Sequence, residues 1–381
     1  MITSENRNFG LDAVRAIAIT LVLLGHTIVF FPNDQSIVTD MLQVLGVYGV
    51  EIFFVLSGFL IGNILLKLIE TTSFTWKVVL HFWIRRWFRT LPLYFIVLIL
   101  NVVLLYIFFY ALPDRLWKYF LFLQNFSNEY LTFFPESWSL SIEEYAYLIA
   151  PIGLFLTVKF FNWLNLDKRK GFLLNALILI CVFMSLKYMF YQNNIDIKQT
   201  FKSWNVSLKA IVIYRLDSIF IGFVLVYFFN SYKEFFKKNR LLMLFSGAFV
   251  LSILLLALYI YPLNQHNTFF WNVWYLPMNS LAISAVLPYF YFLDIKPKRF
   301  KSFIRSISLY SYSMYLLHYT FISYFIYQWI DLKQLNWTVG VFCSVMYLGA
   351  IYVISRVSYR YIERPLTELR DSKFIKSFFS K

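Results

Sequence analysis

Residues 9–26 read FGLDAVRAIAITLVLLGH, an apolar run that carries an arginine at position 15 and a histidine at position 26. Its length is close to the roughly 20 residues that a helix needs to cross the hydrocarbon core of a membrane. A charged side chain within such a helix costs about 2.5–3.5 kcal/mol on insertion scales and usually serves a function. The stretch therefore predicts a membrane helix that carries part of a functional site.

Comparable apolar runs recur to the end of the chain, and together they predict an all-α integral membrane protein with about ten transmembrane helices. The predicted spans are 10–31, 42–69, 91–112, 138–161, 171–191, 210–230, 241–261, 271–294, 307–330 and 337–361. The run 115–126 is too short to span, and we expect it to be an interfacial or re-entrant piece of an external loop. Composition agrees, because only 14% of the residues are charged, against about 25% in an ordinary soluble domain.

The basic residues predict which ends of the spans face the cytoplasm. With the N-terminus inside, 22 Lys and Arg residues fall on cytoplasmic segments and six on external loops, as the preference of positive charge for the cytoplasmic side requires. We therefore predict an even number of spans with both termini in the cytoplasm. The net charge of +15 then comes from basic residues in the loops on one face of the membrane. We therefore expect membrane lipids rather than nucleic acid as partners.

His26 and Glu143 lie at similar predicted depth, which suggests general-base chemistry. Arg15 and His26 are eleven positions apart, which places them on one helix face about 16 Å apart along the axis. The fourth span begins on the external side, and Glu143 lies about five residues into it, at about the depth of His26. A carboxylate beside an imidazole fixes its tautomer and raises its basicity. The simpler alternatives are a structural histidine at the interface and an Arg15 that snorkels to the headgroups.

An arginine pair lies in the segment HFWIRRWFRTLPLY, residues 81–94. If this segment is helical, Arg86 and Arg89 share a face, and their planar guanidinium groups suit phosphate oxygens. Anchoring to lipid headgroups by a Trp- and Arg-rich segment is the alternative.

Other ionisable residues inside the predicted spans are candidates for contact with a substrate. Arg215 and Asp217 lie near the external end of the sixth span, where they either contact an acceptor or form an internal salt bridge. His318, on a Tyr-rich helix, is either a packed, hydrogen-bonded histidine or a further substrate contact, and Glu51 is a fourth candidate. The two cysteines, Cys181 and Cys343, lie within spans, so we expect no metal site.

Seven stretches, in this order, resemble the signatures of the membrane-bound acyltransferase-3 family. They are FGLDAVRAIAITLVLLGH (9–26), GVEIFFVLSGFLIG (49–62), RRWFRTLPLY (85–94), PESWSLSIEEYAYLIAP (135–151), YRLDSIFIGFVL (214–225), ISLYSYSMYLLHY (307–319) and RYIERPL (360–366). Glu51 departs from the aspartate expected in the second signature. The resemblance implies a membrane domain over residues 1–366, followed by a basic cytoplasmic tail at 367–381.

The resemblance also implies an activity, namely the transfer of acetyl or a related group from cytoplasmic acyl-CoA to a hydroxyl of a cell-envelope polysaccharide, glycolipid or lipid-linked saccharide in a bacterial plasma membrane. It implies His26, oriented by Glu143, as the catalytic base or acyl carrier, and Arg86 and Arg89, with Arg15 nearby, as ligands of CoA. Many bacterial members carry a fused hydrolase-like domain. We expect any second transfer step here to need a separate protein, or the membrane domain to reach the final acceptor itself. The alternative function is a transporter or flippase of a lipid-linked saccharide.

Overall fold

The computed structural model describes residues 7–31, 37–127, 133–260, 268–322, 326 and 336–372. Ten long helices make up most of these ranges, which contain no strand. The helices are α1 (Phe9–His26), α2 (Ile37–Thr71), α3 (Trp76–Ile107), α4 (Trp138–Trp163), α5 (Lys168–Asn193), α6 (Leu216–Ser231), α7 (Arg240–Ile260), α8 (Tyr275–Tyr291), α9 (Lys298–Phe321) and α10 (Trp337–Ser358). The prediction of an all-α membrane protein is confirmed.

Within the described ranges, seven helical stretches are long and apolar enough to cross a membrane. They contain α1 to α5, α7 and α10. Helix α6 is apolar but has only 16 residues, and α9 carries many Ser, Tyr and basic side chains along its length. The total of ten spans and the cytoplasmic location of both termini therefore stay predictions.

Side chains with an oxygen acceptor begin several helices, as the sequence leads one to expect. The side chain of Asn8 accepts a hydrogen bond from the backbone N–H of Leu11 at the start of α1, at 3.0 Å. Asn336 does the same for Val339 at the start of α10, at 2.9 Å. Such caps satisfy N–H groups that have no partner within the helix, and they fix where it begins.

Three helices begin six or more residues away from the start of the predicted span. Helix α3 begins at Trp76 instead of residue 91, and α9 begins at Lys298 instead of residue 307. Both early segments are rich in basic residues, and that of α3 also in Trp, which lowers their hydropathy without opposing helix formation. Helix α6 begins at Leu216 instead of residue 210, because a turn of 3₁₀-helix, Val212–Tyr214, precedes it.

The run 115–126 does not span, as predicted. It contains one helical turn, Trp117–Phe120, and folds back onto the helices. The Tyr94 hydroxyl donates to the carbonyl of Tyr119 at 2.8 Å, and the Gln124 amide donates to the Ser141 hydroxyl at 2.7 Å. This loop is therefore fixed against α3 and the start of α4.

Helix α2 is the centre of the bundle and packs against α1, α4, α5, α6 and α8. Two glycines, Gly58 of α2 and Gly25 of α1, permit very close approach between helices. A Cβ added to Gly58 would lie 2.0 Å from the carbonyl oxygen of Ile219 on α6, and one added to Gly25 on α1 would lie 2.6 Å from the backbone nitrogen of Gly46. Neither contact would tolerate a side chain, so these glycines determine the spacing of α1, α2 and α6.

After α10 the chain returns to α3. The π-helical turn Tyr359–Glu363 and the short helix Arg364–Glu368 lead to Asp371, whose carboxylate accepts from Arg85 at 2.9 Å. The first part of the predicted basic tail is thus packed against the bundle, while its remainder, 373–381, lies outside the described residues.

Candidate active site

Two histidines meet where α1 ends beside α9. The ring centroids of His26 and His318 are 4.7 Å apart, and the ring of Tyr319 lies 5.2 Å from His26. Nδ1 of His318 is 2.6 Å from the carbonyl oxygen of Tyr315, which can only accept a hydrogen bond. Nδ1 therefore carries the proton of the neutral ring, and Nε2 is a buried acceptor with no partner among the described residues.

The predicted pairing of His26 with Glu143 is not formed, and this is a correction to the sequence interpretation. The Glu143 carboxylate accepts from the Tyr147 hydroxyl at 3.0 Å, and its electrostatic neighbours are Arg15, Arg86 and Arg89. Matching two residues by depth does not fix the direction in which each helix presents them. Tyr147 lies one turn further along α4, on the face of Glu143, and so takes its carboxylate.

Helix α4 presents a polar stripe at four-residue spacing, formed by Ser139, Glu143 and Tyr147. The Tyr147 hydroxyl lies 2.5 Å from the Ser57 hydroxyl of α2, and Ser139 lies 2.6 Å from the Tyr315 hydroxyl of α9. The ring of Tyr315 is in turn 5.6 Å from that of His318. Polar side chains therefore continue from the arginine cluster, formed by Arg15, Arg86 and Arg89, to the histidine pair.

Members of the arginine cluster differ in how they are held. Arg15 is paired with Asp12 at 3.5 Å and donates to the Ser308 hydroxyl at 3.3 Å. Arg86 lies over the rings of Phe82 and Tyr147, about 6 Å from each centroid. Neither Arg86 nor the exposed Arg89 forms an ion pair with a carboxylate in the described part of the chain. Their guanidinium groups are therefore available to an anionic ligand.

The adjacent carboxylates of α4 have different partners. Whereas Glu143 contacts Tyr147, Glu144 is buried and accepts from the Thr90 hydroxyl of α3 at 2.6 Å. Thr90 follows Arg89 directly, so this contact fixes the arginine-bearing turn of α3 against α4.

The remaining charged residues predicted as substrate contacts form two buried ion pairs. Arg215 pairs with Glu51 across α6 and α2, and the Ser280 hydroxyl of α8 lies 3.4 Å from the other oxygen of that carboxylate. Asp217 pairs with Lys187 of α5 at 2.6 Å. The internal Arg215–Asp217 bridge considered from the sequence is therefore wrong, because each residue pairs with a different helix.

Several residues of this region were not assigned from the sequence. Tyr147 and Thr90 are ordinary polar residues on predicted helices, and nothing in the sequence gives their partners. Lys187 stands out as a charge within a span, but its partner Asp217 lies 30 positions away. Lys209 was counted among external basic residues, although it is only 5% exposed. Among the described residues, no three His, Cys, Asp or Glu side chains are grouped as a metal site would need.

The fold and this site define a multi-pass helical membrane protein with an internal histidine pair and an arginine cluster. Residues 8–356 match the model of a single family, described as an acyltransferase domain and designated acyltransferase 3. The chain belongs to this membrane acyltransferase family, as its seven signature stretches predict.

Two relatives of the chain are named as O-acetyltransferases. The chain is 26% identical to the peptidoglycan O-acetyltransferase OatA of Listeria monocytogenes, over 97% of this chain and 57% of that protein. It is 24% identical to the O-acetyltransferase OatA of Staphylococcus aureus, over 94% of this chain and 57% of that protein. The chain thus spans little more than half the length of these relatives. No solved structure matches it.

Proposed function

We propose that this protein is an O-acyltransferase that moves an acyl group, in the first place acetyl, from cytoplasmic acyl-CoA to a hydroxyl of a cell-envelope glycan or glycolipid. One observation carries the proposal: two unpaired arginines and a histidine pair are joined by polar side chains inside one helix bundle. Membership of the acyltransferase-3 family supports this reading. We place the protein in a bacterial plasma membrane with the arginine cluster toward the cytoplasm.

In this proposal Arg86 and Arg89 bind the phosphates of CoA. Coenzyme A carries a pyrophosphate and a 3′-phosphate, and two unpaired guanidinium groups suit such oxygens in geometry and charge. Arg15, already paired with Asp12, adds positive charge at the place where CoA enters the helix bundle. The pantetheine arm then follows the polar stripe of α4 toward His26.

His26 acts on the reacting groups. As a general base it takes the proton of the acceptor hydroxyl while the hydroxyl oxygen attacks the thioester carbon, and it later returns a proton to the departing thiolate of CoA. As an acyl carrier its imidazole attacks the thioester carbon, the C–S bond breaks and CoA leaves as the thiolate. The acceptor hydroxyl then loses its proton and takes the acyl group from the imidazole, which leaves as a neutral ring. Both routes need a neutral imidazole at the start, because only a ring nitrogen with a free lone pair can take a proton or attack the thioester.

Glu143 has a different role from the one its sequence position suggested. Because it contacts Tyr147 and feels the charges of the arginine cluster, we propose that it positions those arginines and lines the path of the donor. The acceptor contacts suggested for Glu51, Arg215 and Asp217 stay proposals. Arg215 keeps Nε and Nη1 without a partner among the described residues, and these N–H groups are the ones that an acceptor hydroxyl would meet.

The acceptor is proposed by analogy with the relatives. One of them is named for peptidoglycan O-acetylation, and a cell-wall glycan is accordingly the first acceptor to test.

A transporter or flippase of a lipid-linked saccharide is the competing function, and coenzyme A distinguishes the two. We expect added CoA to raise the melting temperature of the purified protein, because a ligand that binds only the folded state stabilises it. The increase should be lost in an Arg86→Ala, Arg89→Ala double variant and kept in Arg85→Ala. A wild-type melting temperature that does not respond to CoA would favour the transporter.

A further inference from the structure

Lys209 is a buried cation without a carboxylate partner among the described residues. It ends the π-helical turn Asn205–Lys209, which lies between α5 and α6, and such turns are frequent at functional sites. Its Nζ lies 4.2 Å from the ring centroid of Trp138 and 2.8 Å from the side-chain oxygen of Asn205. An aromatic face and an amide dipole stabilise the ammonium group without neutralising it.

The surrounding charges leave an excess of positive charge at this place. Glu51 is the carboxylate that acts on Lys209, but it is already paired with Arg215. Burial lowers the pKa of Lys209 to about 7, and Glu51 only partly opposes this shift. A negative charge arriving next to Nζ would therefore be stabilised and would hold the proton on the amine. Lys187, which is paired directly with Asp217, shows the contrasting case of a structural buried lysine.

The position of Lys209 relative to the start of α4 is fixed by a single side chain. The Asn125 amide donates to the carbonyl oxygen of Trp138 at 3.0 Å and to that of Ala210 at 2.5 Å. The backbone carbonyl of Asn125 also accepts a hydrogen bond from the backbone N–H of Val212 at 3.0 Å. The ammonium group is thus held in place before any ligand arrives.

Trp138, whose ring lies against Nζ of Lys209, is followed along α4 by Ser139, whose hydroxyl lies 2.6 Å from the Tyr315 hydroxyl. The ring of Tyr315 lies 5.6 Å from that of His318, which is 4.7 Å from that of His26. These contacts place Lys209 in the same region of the bundle as the histidine pair. Negative charge that develops on the carbonyl oxygen of a thioester held next to His26 would therefore have Lys209 as a nearby cation. Preorganised donors aimed at developing charge supply much of the rate enhancement in acyl transfer.

We propose that Lys209 is a catalytic residue whose ammonium group stabilises the oxyanion formed during acyl transfer at His26; this rests on the proposed function. When the attacking atom bonds to the thioester carbon, the carbonyl π electrons move onto oxygen, and Lys209 donates a hydrogen bond to that oxygen. When the C=O bond re-forms, the C–S bond breaks and the thiolate of CoA leaves with a proton from the His26 imidazolium. The overall reaction converts acyl-CoA and an alcohol into an ester and CoA.

Steady-state kinetics of Lys209→Met, with acyl-CoA and acceptor varied separately, tests this role. We expect kcat to fall by about 10²–10³, the cost of removing one oxyanion donor, with little change in KM for either substrate. Lys202→Met is the matched control, because Lys202 is an exposed lysine of the same segment, and it should keep wild-type kinetics. An acceptor KM that rises while kcat is kept would instead make Lys209 an anchor for an anionic group of the acceptor and would overturn the proposal.

Two further variants make the outcome decisive. If Lys209→Met no longer shows the CoA-induced rise in melting temperature, Lys209→Gln is measured in its place. Lys209→Arg keeps the positive charge and should recover part of the lost kcat. If Lys209→Met and Lys209→Gln both keep kcat while His26→Ala is inactive, the oxyanion role is wrong and the proposed function stands. If His26→Ala is also fully active, the proposed function itself fails.

Discussion

His26 and His318 hold their imidazole rings 4.7 Å apart, although they come from the first and ninth long helices. The tautomer of His318 is set by the Tyr315 carbonyl, so its Nε2 is an acceptor within the buried region next to His26. The pair therefore consists of one partly exposed histidine and one buried histidine of fixed orientation. This arrangement suits a His26 that reacts and a His318 that positions it.

Replacing His318 by phenylalanine keeps a planar ring but removes both nitrogens. We expect His318→Phe to lower kcat roughly tenfold to a hundredfold, because His26 loses its oriented neighbour. This effect is smaller than the loss of about 10²–10⁴ that is typical when a general base itself is removed. KM for acyl-CoA should not change. A purely structural role would lower the melting temperature and leave kcat per folded molecule unchanged, so both quantities should be measured on purified protein.

Arg86 and Arg89 should determine donor affinity. A charge-assisted hydrogen bond contributes about 1.5–3 kcal/mol, which corresponds to roughly a ten- to hundredfold rise in KM for acyl-CoA in Arg86→Ala or Arg89→Ala. The contact persists from ground state to transition state, so kcat should change little. Arg85→Ala is the control, since Arg85 is the neighbouring residue but pairs with Asp371. Equal effects of all three substitutions would contradict the assignment.

The pair of Lys187 and Asp217 should show the energetics of a buried ion pair. Lys187→Met leaves the carboxylate of Asp217 buried and unpaired, and we expect a loss of about 3–5 kcal/mol in the free energy of unfolding. Adding Asp217→Leu should recover much of this loss. Arg169→Met, which breaks the partly exposed pair with Glu70, should cost only about 0–1 kcal/mol. A double variant less stable than Lys187→Met would show that the charges serve another purpose.

Sidedness can be measured by cysteine labelling after the native Cys181 and Cys343 have been replaced by serine. A cysteine at Asp196, in the exposed connection after α5, should react with a membrane-impermeant maleimide in intact cells. A cysteine at Asn162, in the exposed last turn of α4 just before the connection to α5, should react only after the membrane is opened. The reverse pattern would place Arg86 and Arg89 outside, where the proposed donor is absent.

The sequence predicts the helices of this protein better than it predicts their contacts. Apolar runs of membrane length are visible along the chain, and the residues that later form the histidine pair and the arginine cluster were all named from it. Helix starts were missed where polar interfacial residues extend a helix beyond its apolar part, as at Trp76 and Lys298. Hydropathy measures affinity for lipid, whereas backbone hydrogen bonding continues into the interface.

The pairings could not be predicted, for a different physical reason. Glu143 was matched to His26 by depth, but Ser139, one turn earlier on the same stripe of α4, is the residue that contacts Tyr315 beside His318. Glu143 instead contacts Tyr147 and lies near the arginine cluster. Arg215 and Asp217 look like partners in the sequence, yet each is closer to a charge on another helix. Lys209 was counted as a loop residue, since nothing in the sequence shows that Asn125 and Trp138 enclose it.

The reaction at His26 is the central claim, and His26→Ala tests it most directly. Purified His26→Ala should show the same CoA-induced rise in melting temperature as the wild type, because the donor phosphates are bound elsewhere. Acyl transfer to the acceptor should fall by about 10²–10⁴ if a general base is lost, since the lost interaction belongs to the chemical step. A His26→Ala protein that binds CoA and keeps near-wild-type turnover would contradict the account.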